Sequence, residues 1–351
     1  MAGTRSAYLK AQPKVLGQDA LLVRALWRDE KLEEVQVTFN DAGSFFGYYQ
    51  GELTGSVEER RTKFQAWQKK FDSLHEKSLE MTRESLKERA GDVDEVRFGK
   101  SRAIRAEVED YEWEGVTARL FHGPSRLVRV AFRRSGEFGK SWMDREVADL
   151  DPRSYTRWLA ERVEKTDVGD EVLAEMEIVP QGYRPYCGLN TLVMAGRYLG
   201  LHIDEDWLAS AGKFQNTGSA AGSQMLSLYG SVASEAGVKM KRLNKLDENL
   251  VKRSLRGGFP VVVWRRWSQE RDQLHTRITQ EFAKGKEPNW GELNKEAWPN
   301  EESPLHASVV VGFNQERNEF LMMESWQGQE TPRRIPVKEL AHTAYLTFCF
   351  Q

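Results

Sequence analysis

An α+β chain in two domains is what this sequence predicts. Three observations carry that reading. Strand-length apolar runs flank one long amphipathic helix in the first half, helices precede a set of strands in the second, and 351 residues suffice for two compact domains. Hydrophobic residues at 40% and charged residues at 30% suit a folded chain rather than a disordered one.

In the first half, β-branched and aromatic residues mark strands at 20–27, 33–39 and 44–49. A helix is expected over 57–90, with Ser56 and Glu59 as its capping box and Gly91 as its terminator. Phe64, Trp67, Phe71 and Leu74 recur at helical spacing and are expected to face a sheet. Strands at 103–109, 116–121 and 127–132 follow. The first domain, 1–150, is therefore expected to be an antiparallel sheet with one long helix, an accessory unit whose partner the sequence does not name.

The second domain is expected over 151–351, with 134–171 as the linker zone. Asp151 reads as an N-cap and Pro152 as a first-turn residue of a helix reaching about 164. A short strand at 176–180 is followed by helices at 187–199, ending at Gly200, and at 206–211, 222–236 and 246–255. Strands at 260–264, 307–313, 319–323 and 344–350 complete the pattern. The charged, Trp-bearing stretch 268–303 reads as an insertion that caps a cleft.

Composition excludes several function classes. Lys plus Arg (51) nearly balance Asp plus Glu (53), so no global field favours nucleic acid or anionic lipid. No apolar run reaches bilayer length, so no transmembrane segment is expected. The first 14 residues lack a signal-peptide core, and Met1-Ala2-Gly3 fits the remnant of a removed leader, which leaves a secreted or periplasmic location open. Two cysteines, Cys187 and Cys349, cannot build a disulfide framework or a structural zinc site of several thiolates. No helical His-x-x-x-His pair suggests a metal, and no organic cofactor motif is present.

The segment 179–191 carries the chemistry. Cys187 stands where a loop becomes a helix, so unpaired amides and the helix dipole favour its thiolate and face any oxyanion formed beside the sulfur. Gln181, six residues earlier, can fold back as a second oxyanion donor, and Gly188 allows close approach. His306 opens an apolar strand and is the candidate base. Glu324 ends the following strand, so a hairpin brings its carboxylate beside His306, where it can fix the imidazole and stabilise imidazolium. Trp326 is placed to shield that bond from water.

The order Gln181…Cys187-Gly188…His306-Ala307…Ser325-Trp326-x-Gly328 resembles papain-like cysteine peptidases. Its Pro-Gln-x₅-Cys-Gly start is similar to the bacterial branch that includes bacteriocin-leader (double-glycine) processing peptidases. The resemblance covers about 176–350 and implies a papain-like second domain with helices ahead of an antiparallel sheet. It further implies Cys187 as nucleophile, His306 as base, Gln181 as oxyanion glutamine, Glu324 where the families place Asn or Asp, and a peptide or protein substrate cleaved without cofactor or metal.

Other residues have blander readings. Cys349 in its apolar strand reads as core, His75 as solvated on the long helix, His122 as a turn residue before Gly123-Pro124, and Arg265 with Arg266 as a solvated pair. The small-residue stretch 218–223 reads as a helix-leading loop. Two rival functions share the same scaffold, an acyl transferase and a non-catalytic papain-fold binding module. In a third, the N-terminal domain is the functional part and the peptidase domain processes it.

Overall fold

The computed structural model describes residues 4–28, 30–48, 55–91, 93–123, 125–181, 184–212, 222–287, 290, 297–326, 328–329 and 331–351. Contacts divide the chain into two units, Met1–Asp144 with Ile203–Ser231, and Arg145–His202 with Val232–Gln351. This division differs from a single boundary at residue 150, because Ile203–Ser231 joins the first unit from within the second half.

The first unit is built on a seven-stranded antiparallel sheet. Its spatial order is Thr4–Tyr8, Leu22–Arg28, Lys31–Asp41, Leu127–Arg134, Val116–Gly123, Ala106–Trp113 and Val93–Phe98. The long helix spans Val57–Lys87, and Ser56 and Glu59 form the capping box expected of them. Val37, Leu120, Val128 and Val130 of the sheet form a core with Leu86 of that helix, and Leu79 packs against it.

Four expectations fail here, including that Leu74 faces a sheet. Residues 44–48 are not strand but part of the helix Ala42–Tyr48, and Tyr49 lies outside the described residues. Asp41 caps that helix, its carboxylate accepting from the amides of Gly43 (2.9 Å) and Ser44 (3.0 Å). Local capping and the packing of Phe45 and Phe46 against Phe64, Trp67 and Phe71 override the strand propensity of the aromatics. His75 is buried on the long helix rather than solvated, whereas Leu74 beside it is exposed. His122 is a buried strand residue with Nε2 at 2.9 Å from Glu109, so it is no turn residue; Pro124 lies outside the described residues.

The second unit is also α+β and antiparallel. Its sheet runs Val163–Lys165, Asp170–Leu173, Leu305–Asn314, Val261–Arg266, Ala344–Phe350 and Met240–Leu243. Glu319–Met323 pairs with the free edge of Leu305–Asn314 and then with Arg333–Pro336. Asp151 caps the helix Pro152–Glu161 as expected. No strand forms over 176–180; the strand in this region is Asp170–Leu173 instead, held by its ladders to Val163–Lys165 and to residues 312–314. Much of the expected cleft cap is core, since the helix Gln269–Phe282 buries Arg271, Asp272, His275 and Ile278. Residues 288–289 and 291–296 of that stretch, and 218–221 of the small-residue stretch, lie outside the described residues. Among the described residues no helix is long and apolar enough to cross a membrane.

Candidate active site

The helix Cys187–Tyr198 begins at the cysteine itself. Its N-cap, Tyr186, offers no side-chain cap, so the first-turn amides are left for other partners. The buried face carries Leu189, Leu192, Val193 and Ala195 and packs on the strands Leu305–Asn314 and Val261–Arg266. Asn190 Nδ2 donates to the Val179 carbonyl at 2.9 Å, tying the incoming loop to the helix. Gly200, with φ +76°, turns the chain just past the Leu199 C-cap, a left-handed position suited to glycine.

Cys187 is partly exposed and unpaired with Cys349, which is buried. Burial opposes ionisation of Cys187. The hydrogen bond and charge of His306, with the amides of Ala307 and Gly188, outweigh it and hold the thiol below its ordinary 9.0. Cys349 differs: burial pushes its thiol up to about 12.

His306 sits on the second residue of its strand, directly across from Arg265 in the ladder. Its Nε2 lies 2.7 Å from Glu324 Oε2. Burial works against the imidazolium, but the Glu324 carboxylate and Cys187 outweigh it and raise His306 to about 9. Trp326 stacks on the imidazole with ring centroids 4.9 Å apart and planes 29° apart, so one face of the ring is covered. Trp267 contacts both rings.

Glu324 follows the strand Glu319–Met323, whose ladder aligns Met323 with Val309. Continuing that register sets Glu324 across from Ser308 and Trp326 across from His306. Glu324 is fully buried. Its Oε1 accepts from Ser308 Oγ (2.9 Å), Arg265 Nη2 (3.0 Å) and Arg333 Nη2 (2.6 Å), leaving Oε2 to the imidazole. Burial favours the neutral acid, but His306, Arg333 and Arg265 keep the carboxyl well below the usual range.

Gln181 is fixed through both ends of its amide. Ser325 Oγ donates to Oε1 at 2.7 Å, Nε2 donates to the Arg184 carbonyl at 3.2 Å, and the Gln181 backbone N–H reaches the Ser325 carbonyl at 2.9 Å. An amide nitrogen carries two hydrogens, so one such contact leaves the other to a ligand. Residues 182–183 of this loop and Gln327 lie outside the described residues.

The structure thus brings Cys187, His306, Glu324 and Gln181 into one unit. It also corrects Arg265, which is buried against Glu324 instead of being solvated with Arg266. Sequence reasoning missed Arg265, Arg333, Ser308, Ser325 and Tyr345. Arg265 left a signal, because it falls in the buried alternation Val261, Val263, Arg265 of its strand. Burial, then the charge of Cys187, push the Tyr345 hydroxyl up to about 12. Tyr345 is the extra residue of a bulge, since Trp264 pairs with Leu346 and Arg265 with Ala344.

The sequence profile of the Peptidase_C39 like family matches residues 173–351. No curated protein matches the chain. Similar solved structures include a C39-like peptidase from Bacillus anthracis, 13% identical, aligned over 51% of this chain and 96% of that one with a TM-score of 0.34. Another is the peptidase domain of Streptococcus ComA, a bi-functional ABC transporter involved in a quorum sensing pathway. It is 14% identical over 50% of this chain and 98% of that one, with a TM-score of 0.32.

Proposed function

Because this chain belongs to the Peptidase_C39 like family, we propose that it is a cysteine peptidase whose nucleophile is Cys187 and whose acid–base partner is His306. The observation that carries this reading is a relay: His306 Nε2 lies 2.7 Å from the buried Glu324, and the hydrogen bond and charge of His306 hold the Cys187 thiol below its ordinary value.

The relay supports a defined sequence of steps. Cys187, as thiolate, adds to a peptide carbonyl carbon, and the carbonyl electron pair moves to oxygen. That oxyanion is received by the Cys187 backbone N–H and the second Gln181 Nε2 hydrogen. With Nε2 engaged by Glu324, Nδ1 of the imidazolium gives its proton to the leaving amine as the C–N bond breaks and a thioester remains. Water then loses a proton to the neutral imidazole and adds to the thioester carbonyl. Collapse releases the acid and restores the thiolate beside imidazolium. Glu324 supplies the anion that stabilises imidazolium throughout, and no step calls on a cofactor.

The first unit contributes none of these residues, and an accessory role in positioning substrate or docking a partner is the reading we attach to it. The test is cleavage profiling on a peptide library with the wild type and Cys187→Ala. Peptide fragments produced only by the wild type, with free carboxyl ends, are the expected result. Products that appear only when an amine is added would make the chain a transferase. No turnover, together with a Cys187 that iodoacetamide does not modify at neutral pH, would leave it a binding module.

A further inference from the structure

Behind His306 lies a ring of four buried charges that the relay alone does not require. Glu324 Oε1 takes Arg265 Nη2 at 3.0 Å and Arg333 Nη2 at 2.6 Å. Asp272 grips the same two guanidiniums, Oδ1 to Arg265 Nη2 at 3.0 Å and Oδ2 to Arg333 Nη1 at 3.0 Å. Positive and negative groups therefore alternate around a closed circuit, and none of the four side chains is more than 4% exposed. Trp267 Nε1 donates to Asp272 Oδ2 at 2.5 Å, and Arg333 Nη1 reaches the Asp272 carbonyl at 3.2 Å. Asp272 comes from the helix Gln269–Phe282, seven residues after Arg265 but far in sequence from Glu324 and Arg333.

The charge count explains the arrangement. Glu324 facing two guanidiniums would be over-compensated, and its pull on a third cation, the imidazolium, would be offset by theirs. An unbalanced buried charge is costly. Asp272 makes the ring neutral, and the thiolate and imidazolium then cancel each other. We infer that Asp272 is a positioning residue for His306: by neutralising the guanidiniums that anchor Glu324, it lets one carboxylate be both rigidly held and electrostatically free to stabilise the imidazolium. This rests on the reading of Cys187 and His306 as a reactive pair.

The other charged or titratable groups facing this cluster come from each element packed on it. Cys187 interacts with His306 and with Tyr345, and the Arg266 guanidinium lies 5.6 Å from the Tyr345 ring. His275 Nδ1 lies 3.9 Å from Asp272 Oδ1, and its Nε2 is 3.1 Å from Glu339, which also holds Arg271. Burial pushes His275 toward its neutral form, so it does not stand in for a third cation.

The test uses the full chain with Asp272 replaced by Asn, which keeps the shape and an acceptor for Trp267 but removes the charge. The uncompensated positive charge then favours the thiolate and disfavours the imidazolium. The acid limb of Cys187 alkylation by iodoacetamide and the titration of the His306 ring, followed by NMR of histidine-labelled protein, are both expected to move to lower pH by about one unit. In Asp272→Asn with Arg333→Gln the ring is neutral again, and both are expected to return to their wild-type positions.

A folded Asp272→Asn variant whose two titrations stay in place would overturn the inference. So would unfolding of both variants, which would make the ring a requirement of the fold alone, or a folded double variant with displaced titrations. Unfolding of the single variant with a folded, wild-type-like double supports it. A wild-type Cys187 that does not react at neutral pH, or a profile unaltered by His306→Ala, would instead sink the underlying pair and not merely the role of Asp272.

Discussion

His306 Nε2 lies 2.7 Å from Glu324 Oε2, inside a cluster from which water is largely excluded. The hydrogen bond joins the two groups whose ionisation is displaced in opposite directions, His306 up to about 9 and Glu324 well below the carboxylate range. That opposition is the electrostatic signature of an ion pair, and the Cys187 thiol, displaced downward, adds an anion on the other side of the ring. Most of what can be tested about this protein follows from those three displacements.

The first expectation concerns the reactivity of Cys187. The Cys187 thiol is held below its ordinary 9.0 by the hydrogen bond and charge of His306, and His306 itself is raised to about 9, so thiolate and imidazolium favour one another. Alkylation by iodoacetamide at pH 7 should therefore be faster than that of an ordinary thiol, and fall as the pH is lowered and the thiolate is protonated. His306→Ala removes the hydrogen bond and the charge, so the acid limb should move up toward that of an ordinary thiol and the rate at pH 7 should drop. Cys349 should stay silent below alkaline pH in both proteins, because burial holds its thiol at about 12. Mass spectrometry of the alkylated peptides reads each cysteine separately.

A second expectation concerns Glu324 and stability. Its folded value lies below the ordinary 4.5, so the stability it contributes is complete above that ordinary value and is lost as pH falls through the folded one. His306 has the opposite sign: its contribution is complete below 6.5 and is lost as pH rises through about 9. Glu324→Gln leaves Arg265 and Arg333 sharing only Asp272, and should cost about 3–5 kcal/mol at neutral pH. Urea unfolding at a series of pH values should show that the variant's deficit narrows in acid, where the wild-type carboxylate is protonated too. A constant deficit would mean that the loss is one of packing and not of charge.

Gln181 separates chemistry from nucleophilicity. Its amide is held at Oε1 by Ser325 and at Nε2 by the Arg184 carbonyl. Gln181→Ala should therefore leave iodoacetamide alkylation of Cys187 nearly unchanged, because displacement at a saturated carbon builds no oxyanion. Peptide cleavage should fall by about 10²–10³ in kcat. Ser325→Ala should give a smaller loss in the same assay, since it frees the amide to rotate without removing the donor. Equal losses in alkylation and cleavage would show that Gln181 holds the loop rather than the oxyanion.

How far this arrangement was readable in advance depends on the range of the interactions involved. Cys187 at a helix start, Gly200 at its end and the spacing of His306 and Glu324 on one hairpin are local features, and propensity, capping and register reach that far. The neighbours that set their ionisation are not local. Asp272 meets Arg333 across 61 positions, and no period or motif in either segment announces it. The stretch around Asp272 reads as a cleft-capping insertion because charge in a sequence reads as exposure. Here Arg271 and Asp272 are buried and paired, and the same bias misplaced Arg265 and His75, whereas the Gly123-Pro124 turn signal misplaced His122. The helix Ala42–Tyr48 was hidden for a different reason. Its aromatics favour strand locally, and only their packing on Phe71 of the long helix decides otherwise.

The last expectation concerns where the chain can be cut. A boundary at residue 150 looks natural from composition, yet Ile203–Ser231 belongs with Met1–Asp144. Within that unit Arg129 Nη2 donates to Asp206 at 3.2 Å, and Arg24 Nη1 lies 3.3 Å from Glu205. Trp207 is almost wholly buried, and its Nε1 donates to the Ile104 carbonyl at 3.2 Å. Deleting residues 1–150 would strip Asp206 and Glu205 of their cations and uncover Trp207 and Leu208. A fragment beginning at residue 151 should therefore be recovered largely as aggregate, with the remaining soluble fraction binding a hydrophobic dye. Replacing Trp207 and Leu208 with Ser and Glu205 and Asp206 with Lys and Asn in that fragment should restore solubility and leave Cys187 as reactive to iodoacetamide as in the full chain. A fragment from 151 that is monomeric and stable without those changes would show that the segment is not dependent on the first unit's sheet.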